Sequence, residues 1–305
     1  MLINADSIAA LNKGYRVLFD QAYQAGQPMW PQMALRTTSS NADETYNFLG
    51  SIPGMRELVD SVQIRNLAAH GFTILNKEWE DTIEIKRKDI ERDSYGLYNP
   101  LFQAMGRVAA EHADELVANL LLNGFTQNCY TGTTFFSTTH MPQANKTGFS
   151  NRGTKKISAA NYATARENIK SRLNAEGRPM NLGSGLTLIV SPAYETTARQ
   201  ILEADLIINA GGTAAGTNVD KGTAKLIVWP RLAADPDKWF LVDLGQVMKP
   251  FIFQEEKPVS LTSATAPNSV DMLLNHRFIY QAYGRYNAGY GLPELAYGST
   301  GADAA

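Results

Sequence analysis

Residues 100–125 read PLFQAMGRVAAEHADELVANLLLNGF, and the reading of this stretch decides that of the whole chain. Phe102, Met105, Ala109, His112 or Ala113, Leu116 and Leu120 recur at spacings of three and four, the period of one helical face. Gln103, Arg107, Glu111 and Asp114 fall on the opposite side. Pro100 lies in the first turn, where a missing N–H costs little, and Gly124 stands where a C′ glycine belongs. At 1.5 Å per residue a helix over 101–123 runs roughly 35 Å, about twice the usual length. Its middle turn, EHADE, is either a site of chemistry or the charged surface of a strut.

The strut reading is favoured. His112 and Glu115 stand at i and i+3, as in metal sites built in helical bundles, but those sites draw ligands from two or more helices. No second histidine-bearing acidic helix is present, and His70, His140 and His276 have no zinc-binding spacing. No metal or cofactor is expected. The turn reads as surface charge, with Arg107 and Glu111 paired at i+4. Cys129, Ser137 and His140 share one loop without a nucleophile-elbow sequence or an oxyanion-hole signature, so no catalytic residue is assigned. NAGGTAAGTNVDKGTAK (209–225) has the composition of a phosphate cradle but not its order, and residues 209–222 read as a flexible loop. Trp79, Trp229 and Trp239 lack a flanking basic stripe and read as core or interface residues rather than a base-stacking platform.

The totals narrow the class. The chain has 305 residues, one cysteine and a formal charge of −2, so it cannot form an internal disulfide, and a reducing compartment during folding is expected. No run of 18 apolar residues occurs, and the first residues lack the basic, apolar and cleavage regions of a secretory signal. A surface built to grip nucleic acid is normally basic, and this chain is not.

Outward from the long helix, residues 4–24 form an amphipathic helix with Ile8, Leu11, Tyr15, Leu18 and Ala22 on one face. Residues 25–55 lose periodicity and read as a loop-rich arm. FTIL and DTIEIK have strand character, and NKEWE between them suits a turn, which predicts a charged hairpin over 62–94. A helix at about 158–173 begins at Ser158, with Ile157 and Tyr162 placed as a hydrophobic staple. GLTLIVSP, AKLIVWPRL, KWFLVDL and PFIFQEE supply strands of an α/β lobe over 185–263, with Ser191 as the cap of a helix. Over 275–291, His276, Phe278, Tyr280, Ala282, Tyr286, Ala288 and Tyr290 alternate with polar residues as one long strand, placed to lie beside the long helix.

Arm, charged hairpin, long helix, inserted lobe and returning strand follow the plan of the Hong Kong 97-type major capsid fold of tailed phages, an α+β fold. The sequence further resembles the Mu-like prophage major head subunit family. The resemblance is carried by FLGSIPGMREL (48–58), residues 64–125, CYTGTTFFSTTH (129–140), LTLIVSPAYETTARQIL (186–202), KLIVWPRL (225–232), WFLVD (239–243), KPFIFQ (249–254) and RYNAGYG (285–291). One departure is FFSTTH (135–140), where family members often carry acidic residues.

The resemblance implies an N-terminal arm over 1–61 and an E-loop hairpin over 62–95. It implies a P-domain over 96–184 with spine helix 101–123, an A-domain over 185–265, and a P-domain return strand and tail over 266–305. It implies a non-enzymatic major capsid protein whose copies form hexamers and pentamers in an icosahedral virion shell around double-stranded DNA. Assembly would take place in the bacterial host cytoplasm, with a separate scaffold protein, a portal and a decoration protein as further partners and no membrane. The resemblance begins at Leu2, hence the separate scaffold. Candidate inter-subunit contacts are Lys77, Trp79, Glu84, Lys86, Arg87, Lys88, Asp89, Glu91, Arg92 and Asp93. Some members of the fold weld neighbours through a lysine–asparagine bond, for which Lys77, read as near the hairpin tip, is a conceivable donor without an identifiable partner. The rival readings are another virion protein, such as a tail-tube or decoration protein, and a soluble enzyme built on the 185–263 lobe.

Overall fold

The computed structural model describes residues 5–49, 69–92, 96–141, 148–174, 177–208, 215–266 and 274–303. Helix α1 (Ala5–Ala25) and the single turn α2 (Trp30–Met33) lead into strands β1 (Ala34–Thr38), β2 (Asp43–Leu49), β3 (Ala69–Leu75) and β4 (Lys77–Lys86). A short helix α3 (Arg87–Arg92) precedes the long helix α4 (Asn99–Asn123). Strand β5 (Arg152–Lys155), helix α5 (Ala159–Lys170), strand β6 (Leu186–Val190) and helix α6 (Glu195–Leu202) follow. Then come the strands β7 (Leu206–Ile208), β8 (Ala215–Thr217), β9 (Lys225–Val228), β10 (Trp239–Asp243), β11 (Phe251–Ala264), β12 (Arg277–Tyr290) and β13 (Ala296–Asp303).

The first sheet is ordered β1-β11-β12-β4; β1 runs parallel to β11 and the other pairs are antiparallel. Strand β12 keeps its expected alternation and turns Phe278, Tyr280 and Ala282 onto the helices. There Tyr15 and Phe19 of α1 and Phe102 and Met105 of α4 complete one apolar cluster. Tyr15 stacks on Phe102 at 4.1 Å, and Phe102 meets Tyr280 edge-on at 4.9 Å.

The second sheet is ordered β5-β13-β10-β6-β9. Its inner strands, LTLIV and WFLVD, are buried along their whole length, which is why they read as continuous apolar runs rather than as alternation. Helices α5 and α6 cover one face through Tyr162, Ile169, Ala198 and Ile201. On the other face Ile189, Phe240 and Val242 pack with Val117 and Leu121 of α4 and with Phe251 and Tyr290 of the first sheet. Helix α4, 25 residues long, is therefore shared by both sheets. The staple holds as expected: Ser158 accepts the Asn161 N–H at 3.3 Å, and Ile157 and Tyr162 are buried together.

Several expectations are corrected. FTIL and DTIEIK do not pair with each other. Strand β3 pairs with β2, while β4 pairs along its length with β12, and NKEWE runs through the joint into β4 instead of turning. The pattern misleads because both segments are strands and only long-range partners distinguish them. For the same reason β1 and β2, within the stretch read as a structureless arm, carry no local signal. RKDIER is the helix α3, not a hairpin strand. Strand β11 belongs to the first sheet rather than to the lobe, and β13, which the sequence reading did not anticipate, belongs to the second. Residues 215–222, read as part of a flexible loop, contain β8 and the buried Asn218 and Asp220; 209–214 lie outside the described residues. Ser191 bonds the Pro236 carbonyl rather than capping a helix. The Gly124 backbone is helical at φ −62°; its need for glycine is the Phe136 ring, 2.7 Å from where a Cβ would stand.

Helices α1 and α4 cross at small residues. A Cβ on Gly106 would come within 2.4 Å of the Phe19 carbonyl oxygen, whereas one on Gly14 would meet nothing within 4 Å. Urea denaturation of the free subunit should therefore show Gly106→Val losing about 1–3 kcal/mol by overpacking. Gly14→Ala should gain about 0.5–1 kcal/mol from helix propensity.

Candidate functional site

The middle turn of α4 is a junction. Asp114, expected on the outer side, is buried, and its carboxylate accepts the backbone N–H groups of Met29 at 3.0 Å and Trp30 at 2.7 Å. These donors lie at the start of α2, where a helix leaves N–H groups without internal partners. Burial pushes the Asp114 carboxyl up, and the two backbone bonds oppose that shift. Glu111 does not pair with Arg107 as expected. Glu111 and Glu115 each stand 3.6 Å from Arg231, and the Arg231 Nη2 donates to the Glu111 carbonyl at 3.2 Å. The side chains of these ion pairs are partly exposed, so they orient the segment before β10 more than they stabilise it. His112 places Nδ1 2.8 Å from the Tyr286 hydroxyl of β12, under the Trp79 ring.

The charged row is divided between two elements. Strand β4 is an edge of the first sheet and carries Lys77, Trp79, Glu84 and Lys86; α3 carries Arg87, Lys88, Asp89, Glu91 and Arg92. Asp93 lies outside the described residues. Lys77, Lys86, Lys88 and Arg92 are exposed. Glu84 is paired with Arg277 of β12, and Trp79 turns inward, donating its indole N–H to the Tyr286 carbonyl at 2.9 Å. Lys77 sits just after the joint between β3 and β4, at the base of the β2–β3 ribbon and not near a hairpin tip.

A second polar cluster ties the two sheets together. The turn Pro293–Leu295 links β12 to β13, and the buried Arg172 donates to the carbonyls of Pro293 and Glu294 within it and of Ala296 at the start of β13. Tyr130 donates its hydroxyl to Glu294 at 2.6 Å. Burial pushes the Glu294 carboxyl up and the Arg172 guanidinium down to about 10.

The loop that could have held a nucleophile is a structural core instead. His140 is fully buried, with Nδ1 facing the Thr131 and Thr133 hydroxyls at 3.0 and 3.2 Å, and Nε2 facing Asn151 Oδ1 at 3.1 Å and the Phe135 carbonyl at 3.2 Å. Both ring nitrogens are thus engaged away from Ser137 and Cys129, and burial pushes the Cys129 thiol up. Among the described residues no group of three or more His, Cys, Asp or Glu could hold a metal ion. No described helix is long and apolar enough to cross a membrane. Asp114, Arg172 and Glu294 were missed because a buried charge with backbone partners leaves no motif in the sequence.

This arrangement of a shared long helix, two sheets and a ribbon is found in phage heads. The chain is similar to the protein of the bacteriophage JBD30 procapsid, with a TM-score of 0.60 and 27% identity over 97% of this chain and 76% of that one. The cyanophage P-SCSP1u capsid shares the fold, with a TM-score of 0.59 at 13% identity over 90% of this chain and 86% of that one. The class is that of tailed-phage major capsid subunits of the Hong Kong 97-type fold. The family model of the Mu-like prophage major head subunit gpT matches residues 8–156, 148–232 and 233–303, and the chain belongs to this family. It is 28% identical to the major capsid protein of Escherichia phage Mu over 97% of this chain and 74% of that protein. It is 26% identical to the Mu-like prophage FluMu major head subunit of Haemophilus influenzae over 98% of this chain and 75% of that protein. It is thus a structural, non-enzymatic capsid protein of the virion shell.

His140 gives this subunit a pH dependence of known sign. Its burial lowers the folded-state value from 6.5 to about 4, so the fold holds the neutral ring. That contribution is complete above pH 6.5 and is lost as pH falls through about 4. At about 1.4 kcal/mol per tenfold change in proton affinity, the loss is on the order of 3 kcal/mol. In denaturant melts across this range, the stability gap between the parent and His140→Gln should narrow by that amount on acidification.

Proposed function

We propose that copies of this chain form the hexamers and pentamers of an icosahedral shell around the packaged double-stranded DNA of a Mu-like tailed phage or prophage. Assembly proceeds in the bacterial host cytoplasm with a separate scaffold protein and a portal. The formal charge of −2 supports enclosure of DNA without sequence-specific grip, because phosphate binding draws its affinity from basic residues. A decoration protein is a further partner by analogy with the JBD30 capsid, which is decorated with minor capsid protein trimers.

The observation that carries the reading, beyond family membership, is the β2–β3 ribbon. A two-stranded ribbon is marginal alone in water, and the described anchors of this one run from the joint to the Tyr46–Phe72 pair at mid-strand. We assign the E-loop role to this ribbon, residues 43–49 and 69–75, in place of 62–95; β4 and α3 then belong to the P-domain beside α4, β11 and β12. The arm then becomes the segment before β1, packed on α4 through α1 and α2, and the A-domain is centred on the second sheet, giving up β11 and taking in β5 and β13. Among the described side chains of the charged row, the exposed cations Lys77, Lys86, Lys88 and Arg92 are left to meet a neighbour, where such contacts set register more than affinity. Many modest contacts of this kind let misplaced subunits leave before the closed form wins.

Charge reversal tests the assignment. The triple variant Lys86→Glu, Lys88→Glu and Arg92→Glu should fold with each change costing no more than about 0.5 kcal/mol, as for ordinary surface positions. It should fail to close shells with the scaffold in electron micrographs where the parent succeeds. Normal shells from the variant would remove these residues from the interface.

A further inference from the structure

Gln254 lies in β11, an inner strand of the first sheet, and its side chain is fully buried. A buried primary amide must place its donors and its acceptor, or its desolvation is not recovered. Every partner it has belongs to the ribbon or its joint. The Tyr46 hydroxyl on β2 donates to Oε1 at 2.9 Å. Nε2 donates to the Ile74 carbonyl on β3 at 3.2 Å and to Asn76 Oδ1 at 2.8 Å. Asn76 is the single residue between β3 and β4. Its Nδ2 donates to Ser39 Oγ at 3.0 Å and to the Asn41 carbonyl at 2.7 Å, in the turn between β1 and β2. From β12, Asn287 donates to the Leu75 carbonyl at 2.8 Å. The apolar side is equally close: a Cβ on Gly289 of β12 would stand 2.5 Å from Ile74 Cδ1.

We propose that Gln254 is an amide latch that fixes the angle at which the β2–β3 ribbon leaves the sheet. Rotation of the ribbon about Asn76 strands the buried amide with its donors and acceptor unpaired. Intermediate angles are therefore disfavoured, and any second position has to re-pair Gln254 or admit water to it. The joint switches between discrete positions and does not bend continuously. The latch is a property of the single subunit, so its test does not depend on whether shells form.

Hydrogen exchange followed by mass spectrometry on the free full-length subunit reads it directly. In Gln254→Leu, which keeps the bulk and removes the amide, the amides of residues 43–49 and 69–75 should exchange at least about tenfold faster while α4 and β12 keep their protection. Tyr46→Phe, which removes the hydroxyl's bonds to Gln254 and to Thr37 Oγ1 on β1 and leaves the packing, should accelerate the same amides several-fold. If Gln254→Leu does not accumulate as folded protein, Tyr46→Phe decides by the same pattern. Ribbon protection equal to the parent, or a loss spread evenly through β11 and β12, overturns the latch.

Discussion

A carboxylate buried in the middle of a long helix is the constraint on which the rest depends. Asp114 cannot keep its charge in that position without donors, and the donors it has are the Met29 and Trp30 N–H groups at the head of α2. That contact fixes where α2 begins, one turn before β1, with the Trp30 ring resting 4.1 Å from that of Phe253 on β11. One turn of α4 thereby fixes the segment that supplies one edge of the first sheet. The same turn faces Arg231 of the second lobe with Glu111 and Glu115, and β12 with His112. EHADE is neither a catalytic site nor plain surface charge; it is where three parts of the chain are fastened to the strut.

This fastening suits a shell subunit. A capsid protein has to present its edges to neighbours at reproducible angles, and a helix shared by two sheets supplies the fixed frame. The Arg172–Glu294–Tyr130 cluster ties the turn between the sheets in the same manner, with a guanidinium spanning three carbonyls. Buried polar groups of this sort favour one arrangement over alternatives more than they raise total stability, because displacement leaves each partner unpaired. The ribbon base follows the same rule with an uncharged amide. In the proposed assembly the outer edge of β4, the helix α3 and the ribbon meet other copies.

The sequence was legible where a local period carries the structure. Helix α4, strand β12 with its alternating Phe278, Tyr280 and Ala282, and the fully apolar β6 and β10 could all be read from spacing. The collinear family resemblance supplied the class. What could not be read is which strand pairs with which: FTIL and DTIEIK look like two arms of one hairpin, and only the remote β2 and β12 show otherwise. The face of α4 was also misjudged, because Asp114 looks outward on any hydrophobic count and is held inward by backbone donors 84 and 85 residues away. Of the charged row, Glu84 and Trp79 are engaged within the chain, and no one-dimensional pattern separates them from exposed Lys86 and Lys88.

The most direct measurement is equilibrium unfolding of the free subunit carrying Asp114→Ala beside Asp114→Asn. With two charge-assisted bonds gone and two partly buried N–H groups left without their acceptor, Asp114→Ala should lose about 2–4 kcal/mol, and Asp114→Asn, with one oxygen left to accept, should recover part of it. A loss below about 0.5 kcal/mol in both, the range of an ordinary surface position, would contradict the account.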